Sequence, residues 1–127
     1  MGKLKRMQLF SKLNPIAYKS IESATILCKT RGNPYVELVH WVNQIILNEN
    51  TDWHCAIRFF EIDEAALAKD LLAAMDSLPR GASTISDFSG SIEIAVKESW
   101  MNASLIFNEG GIRTGHLLLA MKQTPDL

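Results

Sequence analysis

The residues best able to do chemistry in this chain are its three histidines, His40, His54 and His116, with a small serine cluster at Ser86, Ser89 and Ser91. None has the company that a reaction needs. His54 and Cys55 are adjacent, without the separation that lets two side chains converge on one zinc ion. His40 and His116 have no ligand or nucleophile partner at a recognisable spacing. The serines lack the Gly-x-Ser-x-Gly turn that exposes a nucleophile above a sheet. The nearest glycine-rich stretch, Gly110-Gly111-Ile112-Arg113, has no Lys where a phosphate-cradling loop places one. Glu61, Asp63 and Glu64 fit a solvated helix start, where the dipole favours carboxylates. The expectation is a chain with no catalytic residue, no metal site and no cofactor of its own, with His40 and His116 bonding nearby loops at helix starts. A small helical hydrolase using His116 or a nearby Ser is the enzymatic alternative.

The elements that would position these residues form a unit that is written twice. In the first copy Asn14-Pro15 opens a helix, Arg31-Gly32-Asn33 breaks it, and Val36 and His40 lead into Trp41-Val42-Asn43-Gln44-Ile45-Ile46-Leu47. The second starts near Phe88, breaks at Asn108-Glu109-Gly110-Gly111 and continues through Ile112 and His116 into Leu117-Leu118-Leu119. Such a repeat argues for two related helical halves. Asn14 caps and Pro15 tolerates the first helical position, because its missing N–H would be unpaired there. Ala17, Ile21, Ala24 and Cys28 then fall on one face. Further helices are expected from about Glu37 to Leu47, from a Thr51 or Asp52 cap through Trp53, Ala56, Ile57 and Phe60, and from an Asp63 cap through Leu67, Leu71, Ala74, Met75 and Leu78. Pro79-Arg80-Gly81 stops the last of these. Ser86 or Ser89 caps a long fifth helix with Ile92, Val96, Ser99, Ala103 and Ile106 inside, and Thr114 caps a sixth. No strand is expected, since the β-branched residues keep helical spacing, and the fold class is all-α.

The 127 residues suit one domain, 47% hydrophobic and 21% charged. Lys and Arg total 13 against 14 Asp and Glu, which gives no reason to expect nucleic acid or an anionic membrane as partner. No apolar run is long enough to span a bilayer. Lys3, Lys5 and Arg6 beside Leu4, Met7, Phe10 and Leu13 make an amphipathic helix rather than a signal peptide. Cys28 and Cys55 read as reduced core thiols in a cytosolic protein. Trp41, Trp53 and Trp100 read as core aromatics.

On Leu13-Asn14-Pro15, Leu27-Cys28 with Arg31, Leu78-Pro79-Arg80-Gly81, Ile85-Ser86-Asp87 and Arg113-Thr114-Gly115-His116-Leu117-Leu118, the chain resembles the N-terminal domain of the Clp unfoldases. The LPRG element followed by ISD and RTGHLL is closest to the ClpV (TssH) family, AAA+ ATPases of bacterial type VI secretion. The likeness runs from about Leu9 onward. Val39 stands before His40 where the family usually has Glu, and Trp41 where Leu is usual. The resemblance implies a Clp N-terminal domain over 1–127, with an extra helix at 1–13, a first repeat at 14–81 and a second at 82–127 that lacks the family's last two helices.

It further implies that ATP and magnesium belong to ATPase modules elsewhere in such proteins, that six-fold assembly belongs to the full-length protein, and that the location is the bacterial cytoplasm. The implied partner is a helix of the sheath subunit TssC (VipB), laid in a hydrophobic groove so that contracted sheath is disassembled. Met7, Phe10, Leu13, Ile16 and Ala17 would form one wall, with Ile85 and Phe88 near the other. A groove of this kind needs apolar anchors that meet a guest's i, i+3, i+4 face. The alternative is a general Clp N-domain that takes adaptors or misfolded chains.

Overall fold

The computed structural model describes residues 8–48, 51–82, 84, 87–108 and 110–123; Met7, Ile85 and Ser86 lie outside the described residues. Residues 8–10 are helical. Helix α1 spans Pro15–Arg31, α2 Leu38–Leu47, α3 Asp52–Phe59, α4 Glu64–Asp76, α5 Gly90–Met101 and α6 Thr114–Gln123. Asn14 starts α1 as its spacing predicts, its side-chain oxygen accepting the Ala17 N–H at 2.8 Å. Gly32 ends it in the left-handed region, with φ 71°, where a side chain would be strained. Ala17, Ile21, Ala24 and Cys28 are all buried, and α1 packs on α2 while α5 packs on α6. Trp41, Ile45, Ile92, Val96, Ile112 and Leu117 fill the shared core.

Contrary to the expectation of no strand, Tyr35–Val36 (β1) and Asp87–Phe88 (β2) pair in parallel, Tyr35 opposite Asp87 and Val36 opposite Phe88. Two residues are too few to show alternation, and the partners lie far apart in sequence. A matching bridge joins Leu13 to Ile112. The two contacts are reciprocal. Leu13 and Phe88 each stand two residues before a helix, α1 or α5, while Val36 and Ile112 each stand two residues before α2 or α6. The lead-in of each half therefore pairs with the mid-turn of the other. Backbone bonds repeat the exchange: Asn14 N donates to Ile112 O, and Ser89 N to Val36 O, both at 2.8 Å.

Other expectations need correction. After Met101 the helix widens into a π turn, Asn102–Ile106, closed by Phe107 N donating to Asn102 O at 3.1 Å. The extra residue in the turn rotates the register, so Ala103 stays buried but Ile106 is 62% exposed rather than inside. Phe60 falls just past the end of α3 and is 69% exposed. Cys28 is buried as expected, but Cys55 is exposed, on the face of α3 opposite Trp53 and Ile57. Ser89 holds the cap position of α5, yet its hydroxyl finds no hydrogen-bond partner.

Candidate peptide-binding groove

His40 explains the head of α2. Its Nδ1 accepts the Glu37 N–H at 2.9 Å, so Nε2 carries the proton and donates to Asn33 Oδ1 at 2.9 Å. Burial, with Arg31 nearby, pushes this imidazole below its ordinary value and keeps it neutral. His116 repeats the device on α6, its Nδ1 accepting the Arg113 N–H at 3.0 Å. His54 donates from Nε2 to the Ile46 carbonyl and ties α3 to the end of α2. All three rings thus hold backbone, as the expectation for His40 and His116 had it. Among the described residues no group of three His, Cys, Asp or Glu is placed to hold a metal ion.

The LPRG neighbourhood is a joint. Asn33 Nδ2 donates to Pro79 O at 2.7 Å, Ala82 N to Gly32 O at 2.9 Å, and Asp76 receives both Arg31 and Arg80. The RTGH run is a second joint. Arg113 grips Asp52 with two bonds, Nη2 to Oδ1 at 2.7 Å and Nε to Oδ2 at 3.1 Å. The Gly115 N–H adds a third at 3.1 Å, and a Cβ at Gly115 would sit 3.2 Å from the Asp52 side chain. The Thr114 hydroxyl accepts from Asp52 N rather than capping α6, and the Thr114 carbonyl accepts Trp53 Nε1 at 2.6 Å. Sequence reasoning expected a helix cap at Thr114; Asp52 and Trp53 compete for it from across the fold. The Arg113 guanidinium, hydrogen-bonded to it, holds the Asp52 carboxyl below the usual carboxylate range despite partial burial.

A groove of about 470 Å³ lies between the N-terminal segment and α5, lined by Gln8, Leu9, Ser11, Lys12, Lys97, Trp100 and Met101. Lys97, Trp100 and Met101 share one face of α5 at spacings of three and four. On the other wall, Lys12 N bonds Leu9 O and Leu13 N bonds Phe10 O, closing the last helical turn before α1. The Lys12 carbonyl accepts Ile112 N at 2.6 Å, which anchors that wall to the core. The Lys12 ammonium lies 4.9 Å from the centre of the Trp100 ring.

The residues expected to line a groove are divided by the structure. Phe10 and Phe88 meet directly, their rings stacked with centroids 5.3 Å apart. Leu13 and Ala17 are buried in the core and support the groove from beneath, without a face for a guest. Ile16 turns away, onto a separate pocket with Asn14, Thr51, Asp52, Arg113 and Thr114. Sequence reasoning missed Leu9, Lys12, Lys97 and Met101. Trp100, read as a core aromatic, does pack against the core, and it lines the groove as well. The available signal was the i, i+3, i+4 set Lys97, Trp100, Met101, which lies beside the buried Val96 and Ser99 stripe.

No family model matches the chain. Over all 127 residues it is 50% identical to the AAA+ ATPase ClpV1 of Pseudomonas aeruginosa strain PAO1, and it spans 14% of that protein's length. It superposes with TM-score 0.92 and 50% identity on a solved structure from work on the ATPase ClpV, the TssB-TssC sheath and the accessory HsiE protein, covering 99% of this chain and 78% of that one. A third likeness, TM-score 0.90 at 28% identity over 94% of this chain and 76% of the other, is to a structure described as a peptide from the EAEC T6SS Sci1 SciI protein.

Proposed function

We propose, from the premise that this chain belongs to the ClpV family of N-terminal domains, that it is the substrate-recognition module of a type VI secretion AAA+ ATPase. Its groove takes a helix of the sheath subunit TssC (VipB). ATPase modules outside this chain, which carry ATP and magnesium, then unfold the captured subunit, and contracted sheath is recycled in the cytoplasm. The chain itself binds and does not catalyse. The observation that carries this reading is the open apolar surface of Leu9, Trp100 and Met101 between two anchored helical walls. Peptide in a related structure at 28% identity supports it.

A groove of this size sets the scale of binding. Apolar burial yields roughly 25 cal/mol per Å² before association costs, so one guest helix binds moderately. Six such domains on a hexamer, facing a polymer of identical guests, would gain by avidity. The direct test is titration of this domain with a peptide from the TssC N-terminus. Met101→Asp places a carboxylate on the groove floor at an already exposed position, and affinity should fall about tenfold or more with thermal unfolding unchanged. Unchanged affinity in the folded variant overturns the reading. Leu13→Asp is a poor probe, because a charge there enters the core.

A further inference from the structure

Among the described residues that line the groove, the charges are all of one sign. Lys12 rises from the N-terminal wall and Lys97 from α5, and no carboxylate lines the cavity among the described residues. Neither ammonium forms an ion pair with a described residue. Lys12 instead rests on the face of Trp100, the largest apolar surface in the groove. Its backbone is pinned through the bond from Ile112 N to its carbonyl, so its side chain starts from a fixed point. An apolar floor between two ammoniums left without carboxylates is half of a complementary surface.

We propose that the groove selects an amphipathic helix with acidic residues flanking its apolar stripe, Lys12 and Lys97 pairing with those carboxylates. The proposal rests on the groove reading above and names the chemistry of its guest. A guest carboxylate draws the Lys12 ammonium off the Trp100 ring, which then becomes free to pack against the guest's apolar side chains. Lys12 is thus a charge-read cover on the apolar floor, and a guest with basic flanks meets repulsion from both walls while Trp100 stays covered. Rim charges of this kind steer and discriminate more than they hold.

The test uses two synthetic helical peptides with one apolar face and either Glu or Lys at the flanking positions, titrated into the full chain. Trp100 is partly exposed while Trp41 and Trp53 are buried, so the guest-dependent change in intrinsic fluorescence that Trp100→Phe abolishes reports the floor. The Glu peptide should bind about tenfold tighter than the Lys peptide at low salt, with the gap narrowing as salt is raised. Lys97→Glu, at an exposed position, should shrink or invert the preference, and Lys12→Gln should reduce it while leaving the fold intact. Equal binding of both peptides, unmoved by either substitution, overturns the charge selection and leaves the groove reading standing. Binding of neither peptide, and of no TssC peptide, overturns both.

Discussion

Arg113 holds Asp52 through two parallel hydrogen bonds of 2.7 and 3.1 Å, linking the start of α6 to the start of α3. The pair is partly solvent-exposed, so its Coulombic share is modest, but the Gly115 N–H also depends on the same carboxylate. Asp52→Asn keeps the shape and removes the charge. It should cost about 1–2 kcal/mol by denaturant titration, in the range of charge-assisted bonds at partly exposed sites. Because the folded-state carboxyl sits below its unfolded value, its contribution is present above the unfolded value and is lost as pH falls through the folded one. The wild type should therefore lose more stability on acidification below about pH 4 than Asp52→Asn does.

Gly115→Ala should be worse than its chemistry suggests. A methyl group there would stand 3.2 Å from both Cβ and Oδ2 of Asp52, tighter than ordinary contact. Relief requires Asp52 to retreat, which strains its bonds to Arg113 and Gly115. A loss of about 1–3 kcal/mol is expected from overpacking, read as a lower midpoint in chemical denaturation. Against an Asp52→Ala background, Gly115→Ala should cost less than in the wild type, because the Oδ2 contact is gone and only the Cβ contact remains.

His40 should make stability pH-dependent in the opposite sense to a histidine held charged by an acidic partner. Its folded-state value is lowered by burial and by Arg31, so the unfolded chain binds the proton more readily. Stability is full above the unfolded value near pH 6.5 and declines as pH falls below it. Protonation would also set an Nδ1 hydrogen against the Glu37 N–H. His40→Ala leaves the Glu37 N–H and Asn33 Oδ1 without the ring, at a cost of roughly 2–4 kcal/mol for lost bonds and a cavity. The slope of stability against pH between 6.5 and 5 should flatten in that variant.

Much of this architecture was legible before any coordinates. Asn14-Pro15, the Gly32 stop, the Thr51 and Asp63 caps and the buried stripe of α1 follow from local chemistry, because capping and helical periodicity act within a few residues. The reciprocal bridges Leu13–Ile112 and Val36–Phe88 were not legible, since each joins residues far apart in sequence, from different halves of the chain. The exposure of Ile106 was hidden by a π turn that no periodicity test anticipates. The groove failed for a related reason. A stripe on the N-terminal segment shows which residues are apolar, but not that Leu13 and Ala17 would be consumed by the core while Leu9 faces α5.

The two thiols should report folding separately. Cys55 is exposed on α3, whereas Cys28 is buried with its Sγ 3.2 Å from the carbonyls of Asn33 and Tyr35. Burial, with Glu37 nearby, pushes the Cys28 thiol up, so its reactive thiolate is scarce in the native state. A thiol reagent at neutral pH should label one site rapidly, and mass mapping should place it at Cys55. Labelling of Cys28 should appear only with denaturant and track global unfolding. Rapid native labelling of Cys28 would contradict the packing of α1 against β1.

Phe88 stands where fold and groove meet. Its backbone pairs with Val36, and its ring stacks on Phe10, the residue that follows Leu9 on the N-terminal wall. Truncation to Ala removes that stack and part of the apolar support of the wall, while the strand pairing uses only backbone. Stability should fall by about 1–3 kcal/mol, since the ring is only half-buried. Hydrogen exchange should quicken at residues 9–13 more than across α2, because the Phe10 stack is one of the ties that hold this segment, beside the Lys12–Ile112 bond, the Leu13 bridge and the buried Leu13 side chain. Guest affinity should drop several-fold even though Phe88 does not line the cavity, as a loosened wall must be ordered again on binding. If exchange at residues 9–13 is unchanged and affinity still falls, Phe88 contacts the guest itself, and the groove extends further toward β2 than its lining shows.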